Sequence, residues 1–247
     1  MEEFSSIMPG VLLQDMVVLC VLMALMAVFY RLKKLSLAGT LAAALIGLIV
    51  YLADHWRGLF LLFIFFVLSV IATSHQKAFK FSLHPRALQA DGRTAAQVFA
   101  NGGVAAILAL ISLMDPDHSF IYLFMMACSL SSALADTLSS ELGIVYGRRF
   151  YNILTFKPDL NGLDGVVSIE GTLIGALGAI LVGLCFEGFS MLAVLIGVAG
   201  IIGNLSDSFL GALLERKGFI GNNFVNFLNT LIAAIAGLLL YLSIVIL

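Results

Sequence analysis

The run SFIYLFMMACSLSSALADTLSSELG, residues 119–143, decides how the rest of the chain is read. It opens apolar, broken only by small serines. From 119 to 142 it exceeds the ~20 residues that an α-helix needs to cross a bilayer. Its far end is different: Asp136 and Glu141 stand among Thr137, Ser139 and Ser140. A charge inside a span costs about 2.5–3.5 kcal/mol on insertion scales and marks a functional site by default. At helical spacing Asp136 shares a face with Ser139 and Ser140, with Thr137 and Glu141 on the adjoining strip.

The whole chain follows that pattern. Of its 247 residues 61% are hydrophobic and 11% charged, against about 25% charged in a soluble domain. Too few charges are present to cover a folded surface, so lipid is the solvent for most of it. The fold class is all-α, a polytopic transmembrane helical bundle forming one integral membrane domain over residues 1–247. A net charge of −2 gives no bulk attraction to nucleic acid. The first apolar run follows Glu2 and Glu3 and is too long for a cleaved signal. Cys20, Cys128 and Cys185 each sit in an apolar run and read as packing residues.

Eight spans are predicted, at 11–30, 36–53, 59–74, 95–114, 119–142, 167–186, 189–213 and 225–246. Twelve of the thirteen basic residues fall in alternate connections: Arg31, Lys33 and Lys34; Lys77, Lys80, Arg86 and Arg93; Arg148, Arg149 and Lys157; Arg216 and Lys217. Only Arg57 lies on the other side. The positive-inside rule makes that side cytoplasmic and puts both termini on the non-cytoplasmic side. The expected location is a multi-pass integral membrane protein, in the plasma membrane if the cell is prokaryotic.

The polar residues within spans are not scattered. Asn204, Asp207, Gly211 and Glu215 form a stripe along the end of span 7. Span 8 begins with Asn222, Asn223, Asn226, Asn229 and Thr230. Span 4 begins with Arg93, Gln97 and Asn101, and span 6 with Asp164, Ser168, Glu170 and Thr172. Helix ends are often polar, and polar contacts between helices also serve as packing glue, a reading that stays open for Asn226, Asn229 and Ser132. Five stripes converging in the cytoplasmic half favour a shared site. Small-residue spacing at Gly171, Gly175 and Gly178, and at Gly197, Gly200 and Gly203, predicts a tight pair of spans 6 and 7 that carries Glu170 towards Asp207 and Glu215. Spans 1–3 (11–74) are left as scaffold or lipid-access surface, and spans 4–8 (95–246) as the catalytic part.

Clustered oxygen ligands suit Mg²⁺, which binds through one or two carboxylates together with substrate phosphates. Basic side chains and Gly-rich backbone suit the phosphates themselves. No Walker A sequence, kinase loop set or zinc motif is present. Asp136, Glu141 and Asp207 are the expected metal ligands, with Glu170 or Glu215 as helpers. Arg148, Arg149 and Lys157 are expected on nucleotide phosphates, and Asn222, Asn223 and Asn226 on phosphate or base. Arg93 is expected on a lipid phosphate. Asn101, Asn161, Asp164, Ser168 and Asn204 complete the binding set.

The runs ADTLSSELG (135–143), DGVVSIEGTLIG (164–175), GNLSDSFLGA (203–212) and NNFVNFLNT (222–230) resemble, in the same order, the integral-membrane family of transmembrane protein 19 and plant phytyl-phosphate kinase, domain-of-unknown-function family 92. The resemblance implies a CTP-dependent kinase that converts an isoprenyl monophosphate to the diphosphate, with Mg²⁺ and membrane lipid as its companions. A looser similarity links the Asp-Thr-x-x-x-Glu pattern to dolichol kinase and phosphatidate cytidylyltransferase. The chain departs from its family's pattern at 162–167, where Asp164 adds an acidic residue beside the expected phosphate site.

Two other functions compete. A transporter or lipid translocase would place its site near the midplane, between inverted repeats. Spans 5 and 7 share an Asp followed by Ser and Gly, but both run in the same direction. A non-catalytic scaffold would leave the intramembrane carboxylates without a role.

Overall fold

The computed structural model describes residues 2–83 and 92–245. The predicted apolar runs are helices throughout. They are α1 (Glu2–Arg31), α2 (Leu37–Ser74), α3 (Lys77–Leu83), α4 (Ala95–Met114), α5 (Ser119–Tyr146), α6 (Ile169–Glu187), α7 (Met191–Leu210) and α8 (Asn222–Val245). A π-turn, Gly211–Glu215, extends α7. Two short strands, β1 (Tyr151–Asn152) and β2 (Val166–Val167), pair antiparallel in the loop between α5 and α6. Among the described residues, six helical segments are long and apolar enough to cross a membrane.

One of those six, α2, is bent back on itself. A straight helix of 38 residues would run about 57 Å. Instead Lys34 Nζ, just before its start, donates to Ser74 Oγ at its end over 2.8 Å. The reversal is at His55, whose backbone is non-helical (φ 46°, ψ −132°). The arms 37–54 and 56–74 match the separate spans predicted at 36–53 and 59–74. Asp54 and Arg57 pair across the bend at 2.8 Å. Gly58 lets the arms close, because a Cβ there would stand 2.6 Å from Val50 Cγ1.

Helix α5 is the axis of the bundle. Phe124, Met126, Cys128, Leu130 and Leu134 are fully buried along it, and α2, α4, α6, α7 and α8 pack around it. In lipid, helices associate through close packing and hydrogen bonds more than through a hydrophobic force. The contacts are built accordingly. Ser131 Oγ donates to the carbonyls of Ala179 and Ile196 at 3.1 and 3.2 Å, and Gly200 and Gly203 leave room for Ser131 and Ser132. Large apolar side chains on α1, α2, α6 and α8 face outward, as a lipid-facing surface requires.

Helices α6 and α7 pack closely, as the small-residue spacing predicted, with Gly175 also against Asn204 of α7, but the predicted α6 glycines serve α5 as well. Gly171, Gly175 and Gly178 close against Ser139, Ala135 and Leu138 of α5, while Gly183 and Gly197 make other close α6–α7 contacts. The α6 stripe therefore faces the axis helix, and this decides where Glu170 points.

Candidate functional site

A cleft of about 650 Å³ opens at one end of the bundle, where the basic connections gather. Helices α5 and α7 finish there, and α4, α6 and α8 begin there. The ends of helices carry partial charge, positive at the N-terminus and negative at the C-terminus. The side chains sort themselves in two ways. Asp136, Glu141, Asp207 and Glu215 enter from the finishing ends of α5 and α7, where a cation would sit well. First-turn residues Gln97, Ser168, Thr172, Asn222 and Asn226 enter from the starting ends, where backbone N–H groups favour phosphate.

Local sequence builds each of those starts. Thr94 and Gln97 form a reciprocal cap on α4: Gln97 N–H donates to Thr94 Oγ1, and Thr94 N–H donates to Gln97 Oε1. Just before it, Arg93 is stapled to the start of α2. Its N–H donates to Lys34 O at 2.9 Å and its carbonyl accepts from Ser36 N–H at 3.1 Å. The Arg93 side chain is largely enclosed, and that desolvation pulls its pKa below the usual guanidinium value, with Glu141 opposing the drop. Ser168 caps α6 by accepting from Gly171 N–H at 3.1 Å. The preceding turn lies against the π-turn of α7: Gly165 has a positive φ of 72°, and a Cβ there would overlap Ala212.

The centre of the cleft is a pair of carboxyls. Asp136 of α5 and Asp207 of α7 lie within hydrogen-bonding reach of each other. Asn229 Nδ2 donates to Asp207 Oδ1 at 2.6 Å, and Ser132 Oγ donates to Asn229 Oδ1 at 3.0 Å. Asn204 is held by Ser139, whose Oγ donates to its Oδ1 at 2.8 Å. With its amide nitrogen turned toward the carboxylates, Asn226 also reaches Asp207 Oδ1, at 3.3 Å. Two carboxylates in contact need a proton or a cation between them.

Glu141 has a different partner. Lys80, on α3, donates to Glu141 Oε2 at 2.7 Å and to the carbonyls of Ala72 and Thr73 at the end of α2. Its side chain is 4% exposed. Among the described residues, no three His, Cys, Asp or Glu side chains form a ready-made metal cage. The predicted triad thus resolves into an Asp136–Asp207 pair and a lysine-bound Glu141. The pair fits Mg²⁺ in the manner that ion prefers, with one or two carboxylates from protein and the remaining ligands from phosphate and water.

The cleft brings together Arg93, Asn101, Asn161, Asp164, Ser168, Asn204, Asn222 and Asn226 with the three carboxylates. It does not bring in Glu170, Arg148, Arg149, Lys157 or Asn223. Because Gly171 fixes the inner face of α6, Glu170 turns to the loop and accepts from Arg148 N–H at 3.3 Å. Arg148, Arg149, Lys157 and Asn223 are exposed. Lys157 sits on a turn whose backbone pairs with Asn152, and the loop is tied down elsewhere. Arg216 Nη1 donates to Asp159 Oδ2 at 2.6 Å, and Asn161 Nδ2 donates to Ile144 O at 3.0 Å.

The cations that do line the cleft are Lys33, Lys34, Lys77 and Arg93. Lys33 and Lys34 come from the part of the chain expected to be scaffold, and Lys77 from the connection after it. They and Lys80 read in the sequence only as charges on one side of a membrane. Residues 84–91, with His84 and Arg86, lie outside the described residues.

Fold and cleft together define a polytopic helical membrane protein with a charge-sorted polar site at one end. The chain belongs to the integral membrane protein family DUF92, whose model matches residues 20–234. It is 35% identical over 236 residues to an uncharacterized membrane protein of Methanocaldococcus jannaschii, covering 92% of this chain and 93% of that one. An uncharacterized membrane protein of Synechocystis is 30% identical, over 86% of this chain and 84% of its own. Protein VTE6, chloroplastic, of Arabidopsis thaliana is 31% identical over 83% of this chain and 65% of its own length. No solved structure matches.

Proposed function

We propose that the cleft is the active site of a membrane-embedded phosphotransferase, a nucleotide-dependent kinase that extends an isoprenyl monophosphate to the diphosphate. The observation that carries this reading is the Asp136–Asp207 contact at the bottom of a cleft walled by Lys33, Lys34, Lys77 and Arg93. A paired carboxylate site among cations and helix N-termini suits a Mg²⁺-bound triphosphate. The donor is proposed to be CTP, from the likeness to plant phytyl-phosphate kinase and the 31% identity to VTE6. The cleft is taken to lie at the cytoplasmic edge of the membrane, a reading supported by the basic connections that gather around it.

In the reaction a phosphate oxygen of the isoprenyl monophosphate attacks the γ-phosphorus of the nucleotide. The new P–O bond forms as the bond from that phosphorus to the β,γ-bridging oxygen breaks. The products are isoprenyl diphosphate and nucleoside diphosphate. The acceptor oxygen is already anionic near neutral pH, so no general base is required. Catalysis of this kind is positioning and charge neutralisation. Arg93 and the lysines hold phosphate oxygens, Asn229 and Asn226 fix the Asp207 carboxylate, and the N-terminal turns of α6 and α8 face the nucleotide. Mg²⁺, when bound, would neutralise charge on the phosphate oxygens, with Asp136 and Asp207 as its protein ligands.

A translocation path is disfavoured by what lies beneath the cleft. Below Asp136 the axis helix continues through fully buried Leu134, Leu130 and Phe124, a packed core and not a channel. The test is purified protein in lipid nanodiscs with Mg²⁺, CTP and phytyl or geranylgeranyl phosphate. Diphosphate formation is expected. Folded protein that makes none with any nucleotide would refute the proposal.

A further inference from the structure

The polar cleft has an apolar neighbour. A groove of about 260 Å³ runs between α1 and the α2 hairpin, and both its ends can be named. At one end it shares Arg93, Gln97 and Asn101 with the polar cleft. At the other it reaches Trp56, beside the hairpin bend. Between Trp56 and Phe66, both on its wall, the second arm rises about 15 Å. Its lining is aliphatic and aromatic apart from the three shared residues. Helix α1 contacts the bundle chiefly through α2, so the groove lies under an outer helix at the lipid-facing side.

Asn101 marks the junction. It is 9% exposed, its Nδ2 donates to Gln97 O at 3.0 Å, and its Oδ1 has no hydrogen-bond partner. A buried amide oxygen left unmet is rare, and here it sits where the apolar and polar spaces join. We infer that the groove between α1 and the α2 hairpin is the chain subsite: it holds the aliphatic tail of a single-chain lipid phosphate whose phosphate lies at Arg93 in the cleft. This rests on the phosphotransferase reading for the fate of the phosphate, but the binding geometry stands by itself. A long apolar groove ending on a cation selects an amphiphile with one chain and an anionic head.

Gly47 provides the control point. A Cβ there would meet only Leu22 Cδ2 at 3.7 Å and Leu59 Cδ2 at 3.9 Å, which is ordinary contact. Gly47→Ala is therefore accommodated, whereas Gly47→Phe fills the groove. The experiment uses the full chain in phosphatidylcholine nanodiscs and a diazirine-bearing analogue of geranylgeranyl phosphate, with cross-linked peptides mapped by mass spectrometry. Labelling is expected on α1 and α2, competed by unlabelled geranylgeranyl phosphate but not by geranylgeraniol. It should fall at least tenfold in Gly47→Phe and persist in Gly47→Ala. Labelling that is not competed, or is unchanged in Gly47→Phe, would mean bulk lipid and overturn the inference. Phosphotransfer with labelling elsewhere would overturn the groove and spare the proposed reaction. Competed labelling on α1 and α2 without phosphotransfer would do the reverse.

Discussion

The carboxyl groups of Asp136 on α5 and Asp207 on α7 meet within hydrogen-bonding reach, and Asn229 from α8 braces Asp207 at 2.6 Å. Two like groups held together in a mostly enclosed place repel unless something positive joins them. With divalent cation removed, Asp207→Asn is expected to raise the unfolding midpoint by a few degrees, since about 1 kcal/mol is worth ~2–4 °C in a chain this size. Added Mg²⁺ should stabilise the unsubstituted chain and have no such effect on Asp207→Asn. Thermal unfolding in detergent with EDTA and with Mg²⁺ measures both. Equal midpoints in all four conditions would remove the cation from the site.

Lys80 and Glu141 form an ion pair with side chains 4% and 23% exposed. Removing one member of such a pair strands the other away from water. Glu141→Gln and Lys80→Met are each expected to cost about 3 kcal/mol of stability. The double variant should recover part of that loss. Denaturant unfolding of the three variants gives the comparison, and simple additivity would mean the two side chains do not act as a pair.

The loop between α5 and α6 is anchored by Asp159, whose carboxyl is pulled down to about 2 by the Arg216 hydrogen bond, aided by the Leu160 N–H. A depressed carboxyl contributes its stabilisation fully above the ordinary value of about 4, and loses it as pH falls toward 2. Proteolysis within 147–167 should therefore rise as pH drops through that window. Arg216→Ala should show the same exposure already at neutral pH. An acid-tolerant protease read by mass spectrometry makes the measurement.

Gly165 lies at φ 72° with its α-carbon against Ala212. A side chain there is strained by the backbone and obstructed by α7, so Gly165→Ala is expected to cost ~1–3 kcal/mol. The turn would lift Ser168 and Asp164 away from the cleft. Thermal unfolding combined with nucleotide binding checks this, and unchanged binding would show that the turn does not shape the site.

Much of this molecule is legible in its sequence because lipid imposes a simple rule: apolar runs of span length become helices. Even the bend of α2 followed from two short runs around His55 and Arg57. The polar residues of α5 and α7 were likewise readable, since helical spacing alone aligns Asn204, Asp207 and Gly211. What spacing does not encode is which neighbour a face meets. Gly171 and Gly175 look equally suited to α7, and only their fit against Ser139 and Ala135 turns Glu170 out of the cleft. Lys80 was hidden for a related reason. A lysine in a connection reads the same whether it faces water or, as here, folds back on Glu141. Asn229 read equally well as packing glue, and its second role depends on Asp207 standing opposite.

The most direct measurement is transfer of γ-labelled phosphate from CTP to geranylgeranyl phosphate by the purified chain in nanodiscs, compared with Asp136→Asn and Asp207→Asn. The expected result is labelled diphosphate from the unsubstituted protein with Mg²⁺, and a loss of about 100-fold or more in each variant with its fold intact. Equal transfer by all three would contradict a catalytic site built on the two aspartates.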